Sequence, residues 1–328
     1  DECRRMIDFA REKRVFLMEG LWTRFFPAVA RVRELLEAGV IGEVRHVESA
    51  FLCNTNYDDS KKDHRLFSMK LGGGSLLDLG IYCLGATTMA LGANVKALQS
   101  LVMPAPTGAD MRASVQMQYD SGATAHFTCG FDLSGRATEF IYGSKGSIEL
   151  DNFLSPTALT LRLDDGERRE YRFPAENRGH WHQFEHVAQC LMSGKTESPL
   201  MPLSESLLMS RLMTRLRHDW GMIYHVVADD VLFPAGSRPG RAAQHLLPVH
   251  RGVRVPQELG RVARRGRGGE PGACCGANRR DVLLGVVGQR DHAVVVGVAA
   301  VDHGRASGGL VDEEEEVVAH ELHLVEGL

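Results

Sequence analysis

Two short stretches hold the side chains whose types and spacing could do chemistry. In the first, Asp78-Leu-Gly-Ile-Tyr82, a spacing of four puts a carboxylate and a phenol on one face of a helix that is otherwise almost wholly apolar. A phenol in such water-poor surroundings can hand a proton to the alkoxide that develops as a carbonyl is reduced, provided a nearby cation lowers its pKa from about 10. The same residues also suit a structural role, with Asp78 bonding a neighbouring loop and Tyr82 a core ring whose hydroxyl has found a partner. The second stretch is Glu19-Gly-Leu-Trp-Thr-Arg-Phe-Phe-Pro27. Here Trp22, Phe25 and Phe26 beside Arg24 could wall a small hydroxylated or aromatic substrate at a strand's C-terminal end, and packing between two domains is the competing reading. A third pattern, His180-Trp-His182 with His186, has ligand-like i,i+4 spacing. Gln183 stands where HExxH has its glutamate, so no metal is expected.

The elements that must position these groups follow from periodicity. Cys3, Met6, Ile7 and Ala10 recur at helical spacing, and the run at 14–19, RVFLME, reads as a short buried strand. Pro27 suits a helix N-terminus, followed by Val29, Val32, Leu35, Leu36 and Val40 until Gly39 and Gly42 end the pattern. A strand is expected around Val44–Leu52, then a long polar loop over 53–68. Gly72-Gly73-Gly74 opens the apolar helix that bears Asp78 and Tyr82. Because that glycine run follows a loop and not a strand, it is no dinucleotide fingerprint, and no other nucleotide-binding motif is visible. From 95 to about 173 the pattern has period two, with DSG, GSKG and DDG as hairpin turns, which predicts an antiparallel sheet of five or more strands. Two further helices are expected, around 184–191 and over 203–219. The fold class is α+β: an open, largely antiparallel sheet with flanking helices.

The totals are those of an ordinary soluble chain: 328 residues, 44% hydrophobic, net charge −4. That charge gives no footprint for nucleic acid. Seven cysteines without CxxC spacing indicate reduced thiols, hence a cytoplasmic protein, and no apolar run is read as long enough to span a membrane. One break stands out. Lys, Ile, Met, Thr, Tyr and Trp are absent from 231–328, where Phe233 is the only aromatic. The stretch 226–328 is therefore expected to pack poorly, as an out-of-frame or wrongly joined translation or an unrelated extension, although VVVGVAAV could pair as a strand.

Several strings occur in an order that resembles the Gfo/Idh/MocA family of nicotinamide-dependent oxidoreductases: FLMEGLWTRFFPAVARVRELLEAGVIGEVRHV, GGGSLLDLGIYCLG, FIYGSKGSIEL, GKTESPLMPLSES and LRHDWGMIY. The resemblance is to the branch of dimeric dihydrodiol dehydrogenases and NADP-dependent D-xylose dehydrogenases, and it covers residues 1 to about 225. It implies that residues 1–20 are the last helix and strand of a truncated Rossmann domain and 21–225 a substrate-binding domain that forms homodimers through its open sheet. It also implies Tyr82 as proton donor or acceptor, Asp78 as a substrate-side polar group, Trp22 and Phe26 in the substrate pocket, and Arg24 near NADP or NAD. The family's GxGxxG turn and Glu-Lys-Pro motif have no counterpart here and would lie upstream of Asp1. The expectation is therefore a fragment of a sugar or trans-dihydrodiol dehydrogenase that does not turn over alone. The alternative is a noncatalytic dimerising or ligand-binding module.

Overall fold

A computed structural model describes residues 2–174 and 179–222, and the backbone of 281–288 and 294–301. The expected compositional tail over 226–328 lies outside the described residues, except that Asp281–Gly288 and Val294–Val301 pair as an antiparallel two-stranded sheet.

The chain begins with α1 (Glu2–Lys13), whose Ile7 and Ala10 are buried beside Leu17 and Leu203. The strand expected at 14–19 does not form. Phe16, Leu17 and Met18 are buried, and Phe16 and Leu17 lie in isolated bridges and not in a continuous strand, with Leu17 parallel to Glu197 among the described residues. Burial alone does not make a strand, which needs a continuous run of backbone partners. A 3-10 turn (Trp22–Phe25) then leads into α2 (Pro27–Glu37), which has its proline at the first turn as expected.

The main sheet has eight strands: β1 (Val44–Leu52), β2 (Val95–Pro104), β3 (Asp110–Tyr119), β4 (Thr124–Gly130), β5 (Ala137–Gly143), β6 (Gly146–Leu150), β7 (Ala158–Leu163) and β8 (Arg168–Arg172). Their order is β2-β3-β4-β1-β5-β6-β7-β8. Every pairing is antiparallel except β1 with β4, in register His46 opposite Thr124. The parallel pair arises because β1 precedes the long helical crossover and is inserted between two later hairpins. On β3 the alternation is strict, with Ala113, Val115, Met117 and Tyr119 buried and Ser114, Gln116 and Gln118 exposed.

One face of the sheet is covered by the crossover itself, a π-helical turn (Leu76–Gly80) running into α3 (Ile81–Leu91), which packs against β1, β4 and β5. By length and composition the stretch Met69–Leu91 could cross a bilayer, with 23 residues and mean hydropathy 1.3, contrary to the expectation that no run is long enough. Its most apolar window is 67% buried inside the protein, the environment of a core helix. Beyond the sheet, α4 (Trp181–Met192) and α5 (Leu203–Asp219) complete the fold, with α5 against α1 and α3.

Candidate active site

Tyr82 sits in the first turn of α3 and Asp78 in the π-helical turn before it, so the two do not share one regular α-helical face. The wider turn is held from the sheet: Asp110 on β3, itself buried, accepts from Ser75 Oγ at 2.8 Å and from the Leu76 backbone N–H at 2.6 Å. A carboxylate at a helix entry satisfies its unpaired donors and opposes the positive end of its dipole. Burial nevertheless pushes the Asp110 carboxyl up to about 6.

Trp22 and Tyr82 come together across 60 residues of sequence, the indole Nε1–H donating to the phenol oxygen at 3.1 Å. Burial pushes the phenol above its usual range; the indole hydrogen bond works the other way, Asp78 and Glu19 raise it and Arg65 lowers it. Burial also pushes the Glu19 carboxyl up to about 7. On its other side, Tyr82 meets the edge of Phe51, which stands against Phe153.

Trp22 is walled in turn by His180, whose ring stacks on it with centroids 4.4 Å apart, and by Phe26 at 5.5 Å. Phe26 is buried between Trp22 and His182, so it backs the tryptophan. Gly179 makes this approach possible, because a Cβ there would stand 2.3 Å from Phe26 Cζ and 2.7 Å from Trp22 Cζ3. His182 and His186 are engaged separately, His182 against Phe26 and His186 at 2.7 Å from Ser198 Oγ, its ring tilted against Phe25.

Arg24, expected beside the cofactor, faces the interior. Nη1 and Nη2 both donate to the Glu205 carboxylate, and they also reach the carbonyls of Leu200 and Gly85. It ties α5 to α3 and leaves neither terminal nitrogen for a phosphate.

Two features of the site escape a sequence reading. Arg65, in the loop after β1, donates from Nη1 to Asp78 Oδ1 at 3.0 Å. A polar crevice beside this pair is lined by Arg65, Asp78 and Gly72–Gly74. The three glycine N–H groups donate to the carbonyls of Met69, Ser68 and Leu66, closing a tight turn. They are thus committed and cannot cradle a pyrophosphate, whose recognition needs free backbone donors at a helix start. Gly73 is required for packing as well, since a Cβ there would lie 2.8 Å from both the Arg65 carbonyl oxygen and the Ser68 nitrogen.

Residues 29–149 match the model of the GFO/IDH/MocA C-terminal domain. The trans-1,2-dihydrobenzene-1,2-diol dehydrogenase of Mus musculus is 33% identical over 232 residues, covering 68% of this chain and 67% of that protein. Its Homo sapiens counterpart is 33% identical over 233 residues, with 68% and 67% covered. Among solved structures, the aldose-aldose oxidoreductase of Caulobacter crescentus in complex with glycerol superposes with TM-score 0.58 at 23% identity, covering 67% of this chain and 66% of that one. A levoglucosan dehydrogenase in complex with NADH and levoglucosan superposes with TM-score 0.60 at 18% identity, with 67% and 68% covered. The chain thus spans about two thirds of the length of the proteins it matches. With these relatives and this open mixed sheet, the chain belongs to the Gfo/Idh/MocA oxidoreductase family.

Proposed function

We propose that this chain carries the substrate side of a dehydrogenase acting on a hydroxyl of a sugar, such as D-xylose, or of a trans-dihydrodiol, with Tyr82 exchanging the hydroxyl proton. One observation carries this: a buried phenol takes a hydrogen bond from the Trp22 indole, and the charges of Asp78 and Arg65, themselves an ion pair, act on it. The indole hydrogen bond stabilises a phenolate as it forms, and the flat ring of Trp22 offers an apolar wall to a ring-shaped substrate. Asp78 would accept from a substrate hydroxyl. Phe26 and His180 would hold the Trp22 ring in place.

A nicotinamide, NADP or NAD, enters through kinship alone. Its seat would lie on residues other than those described, with 1–20 flanking it and 21–225 forming the substrate domain. The chain by itself is expected not to turn over. A second copy would cover the outer face of the sheet, where Leu101, Met103 and Tyr142 are exposed. A cytoplasmic setting fits the free thiols of Cys3, Cys53, Cys83, Cys129 and Cys190.

Titrating the 328-residue chain with NADP and NAD while following tryptophan fluorescence tests the first part. No saturable quench and no oxidation of D-xylose or a trans-dihydrodiol are expected, and tight cofactor binding would overturn that expectation. In a form of the protein that does turn over, Tyr82→Phe should lower kcat by roughly 10²–10⁴-fold. An unchanged kcat would remove Tyr82 from the role. The alternative reading is a noncatalytic ligand-binding or dimerising module. That reading gains if the product of the whole gene also binds no nicotinamide.

A further inference from the structure

The Arg65 guanidinium reaches the site from a loop, thirteen residues ahead of the carboxylate it meets. That loop is tied to the helix entry through its backbone: Gly74 N–H donates to the Leu66 carbonyl and Gly73 N–H to the Ser68 carbonyl, both at 2.9 Å. The guanidinium is thus delivered by a braced backbone, and Asp78 is the more buried partner of the pair. Three charged groups act on Tyr82, each from a different segment: Glu19 ahead of the 3-10 turn, Asp78 on the π-helical turn and Arg65 on the loop. Its uncharged neighbours are the Trp22 indole and the Phe51 ring. Two of the three charges oppose a phenolate. Arg65 favours it, and a phenol that must give up a proton needs such a cation.

We infer that Arg65 is a positioning residue for the Tyr82 proton: its ion pair fixes the Asp78 carboxylate on the substrate side, and its charge stabilises the phenolate. This rests on the reading of Tyr82 as the group that handles the proton. Arg65 itself acts through Asp78 and Tyr82 and is assigned no contact with the reacting carbon.

The test is a pH titration of Tyr82 in the intact chain, read from tyrosinate absorbance. A Tyr82→Phe chain subtracts the other tyrosines, and circular dichroism monitors the fold. Arg65→Gln should move the phenol pKa up, Asp78→Asn should move it down, and Arg65→Lys should leave it near wild type. A role limited to packing predicts that Arg65→Lys disturbs the phenol as much as Arg65→Gln. That result, or an unmoved pKa in Arg65→Gln, overturns the inference. Should Arg65→Gln fail to fold, Arg65→Met, which keeps the apolar stem, takes its place. The titration reads the phenol whether or not Tyr82 moves a proton in turnover. An unmoved pKa therefore sinks the role of Arg65 alone, whereas a Tyr82→Phe protein that keeps its turnover sinks the role of Tyr82.

Discussion

Two arginine–carboxylate pairs meet the helical crossover that carries Tyr82, one at its buried flank and one at its entry. Arg24 and Glu205 are joined by two hydrogen bonds, and the Glu205 carboxylate also accepts from Thr88 Oγ1 on α3 at 2.6 Å. Their side chains are 4% and 15% exposed. Arg65 and Asp78 are joined at 3.0 Å beside an open polar crevice, with the arginine side chain 33% exposed. The contrast separates a cation absorbed by the fold from one left within reach of solvent and substrate. Residue type and proximity to an aromatic cluster do not distinguish them; their exposure does.

The largest effect should come from breaking the interior pair. Glu205→Ala leaves the Arg24 guanidinium buried without its carboxylate, and the expected cost is about 3–5 kcal/mol, read from the midpoint of chemical denaturation. Arg65→Gln, in the same assay, should cost far less. Equal losses would erase the distinction between the two pairs.

The interior side can be sharpened further through Glu139 on β5, which lies near Arg24 and is fully buried, with Oε1 lacking a hydrogen-bond partner. Burial pushes its carboxyl up to about 7, and the charge of Arg24 offsets only part of that. The folded state therefore holds a proton that the unfolded chain gives up near pH 4.5. Stability must fall as pH rises from about 4.5 to about 7 and then level off, since the folded state binds more protons throughout that window. The loss is on the order of 3 kcal/mol at about 1.4 kcal/mol per pKa unit. Glu139→Gln mimics the protonated form. Its advantage over wild type should be greater at pH 8 than at pH 5, and a difference independent of pH would show that Glu139 is charged throughout.

At the open pair the brace can be tested in place of the charge. Gly73→Ala drives a Cβ against the Arg65 carbonyl and the Ser68 nitrogen, and shifting the backbone to accommodate it should cost about 1–3 kcal/mol. Because that backbone delivers Arg65, the substitution should also raise the Tyr82 pKa, in the direction expected of Arg65→Gln. Destabilisation with an unmoved phenol would mean that the loop bears on stability only.

Much of this architecture is legible in the sequence because it depends on local rules. Period-two alternation with DSG, GSKG and DDG turns marks the strands from 95 to 173, and Pro27 marks the start of α2. The parallel pairing of β1 with β4 is not legible, since it joins residues some 80 positions apart and leaves no turn signal. The site divides in the same way. Asp78 and Tyr82 stand out as polar groups in an apolar helix, and Trp22 as an aromatic beside a charge. Asp110 and Arg65 do not, because the residues they hold lie 34 and 13 positions away and nothing beside them in sequence marks them out. Arg24 is misread for the converse reason. Its neighbours in sequence suggest a ligand site, while its partners Gly85, Leu200 and Glu205 are supplied by the fold.

The smallest expected change in stability is that of Arg65→Gln, and it is also the most informative. A partly exposed ion pair contributes about 0–1 kcal/mol, because solvent screens the attraction and two side chains are immobilised to make it. Denaturation of Arg65→Gln should therefore fall within about 1 kcal/mol of wild type. A residue of little weight in the fold would then still move the phenol. A loss of several kcal/mol would instead place Arg65 with Arg24, as a second tie between the elements that surround the helical crossover, and leave the crevice beside Asp78 without a functional cation.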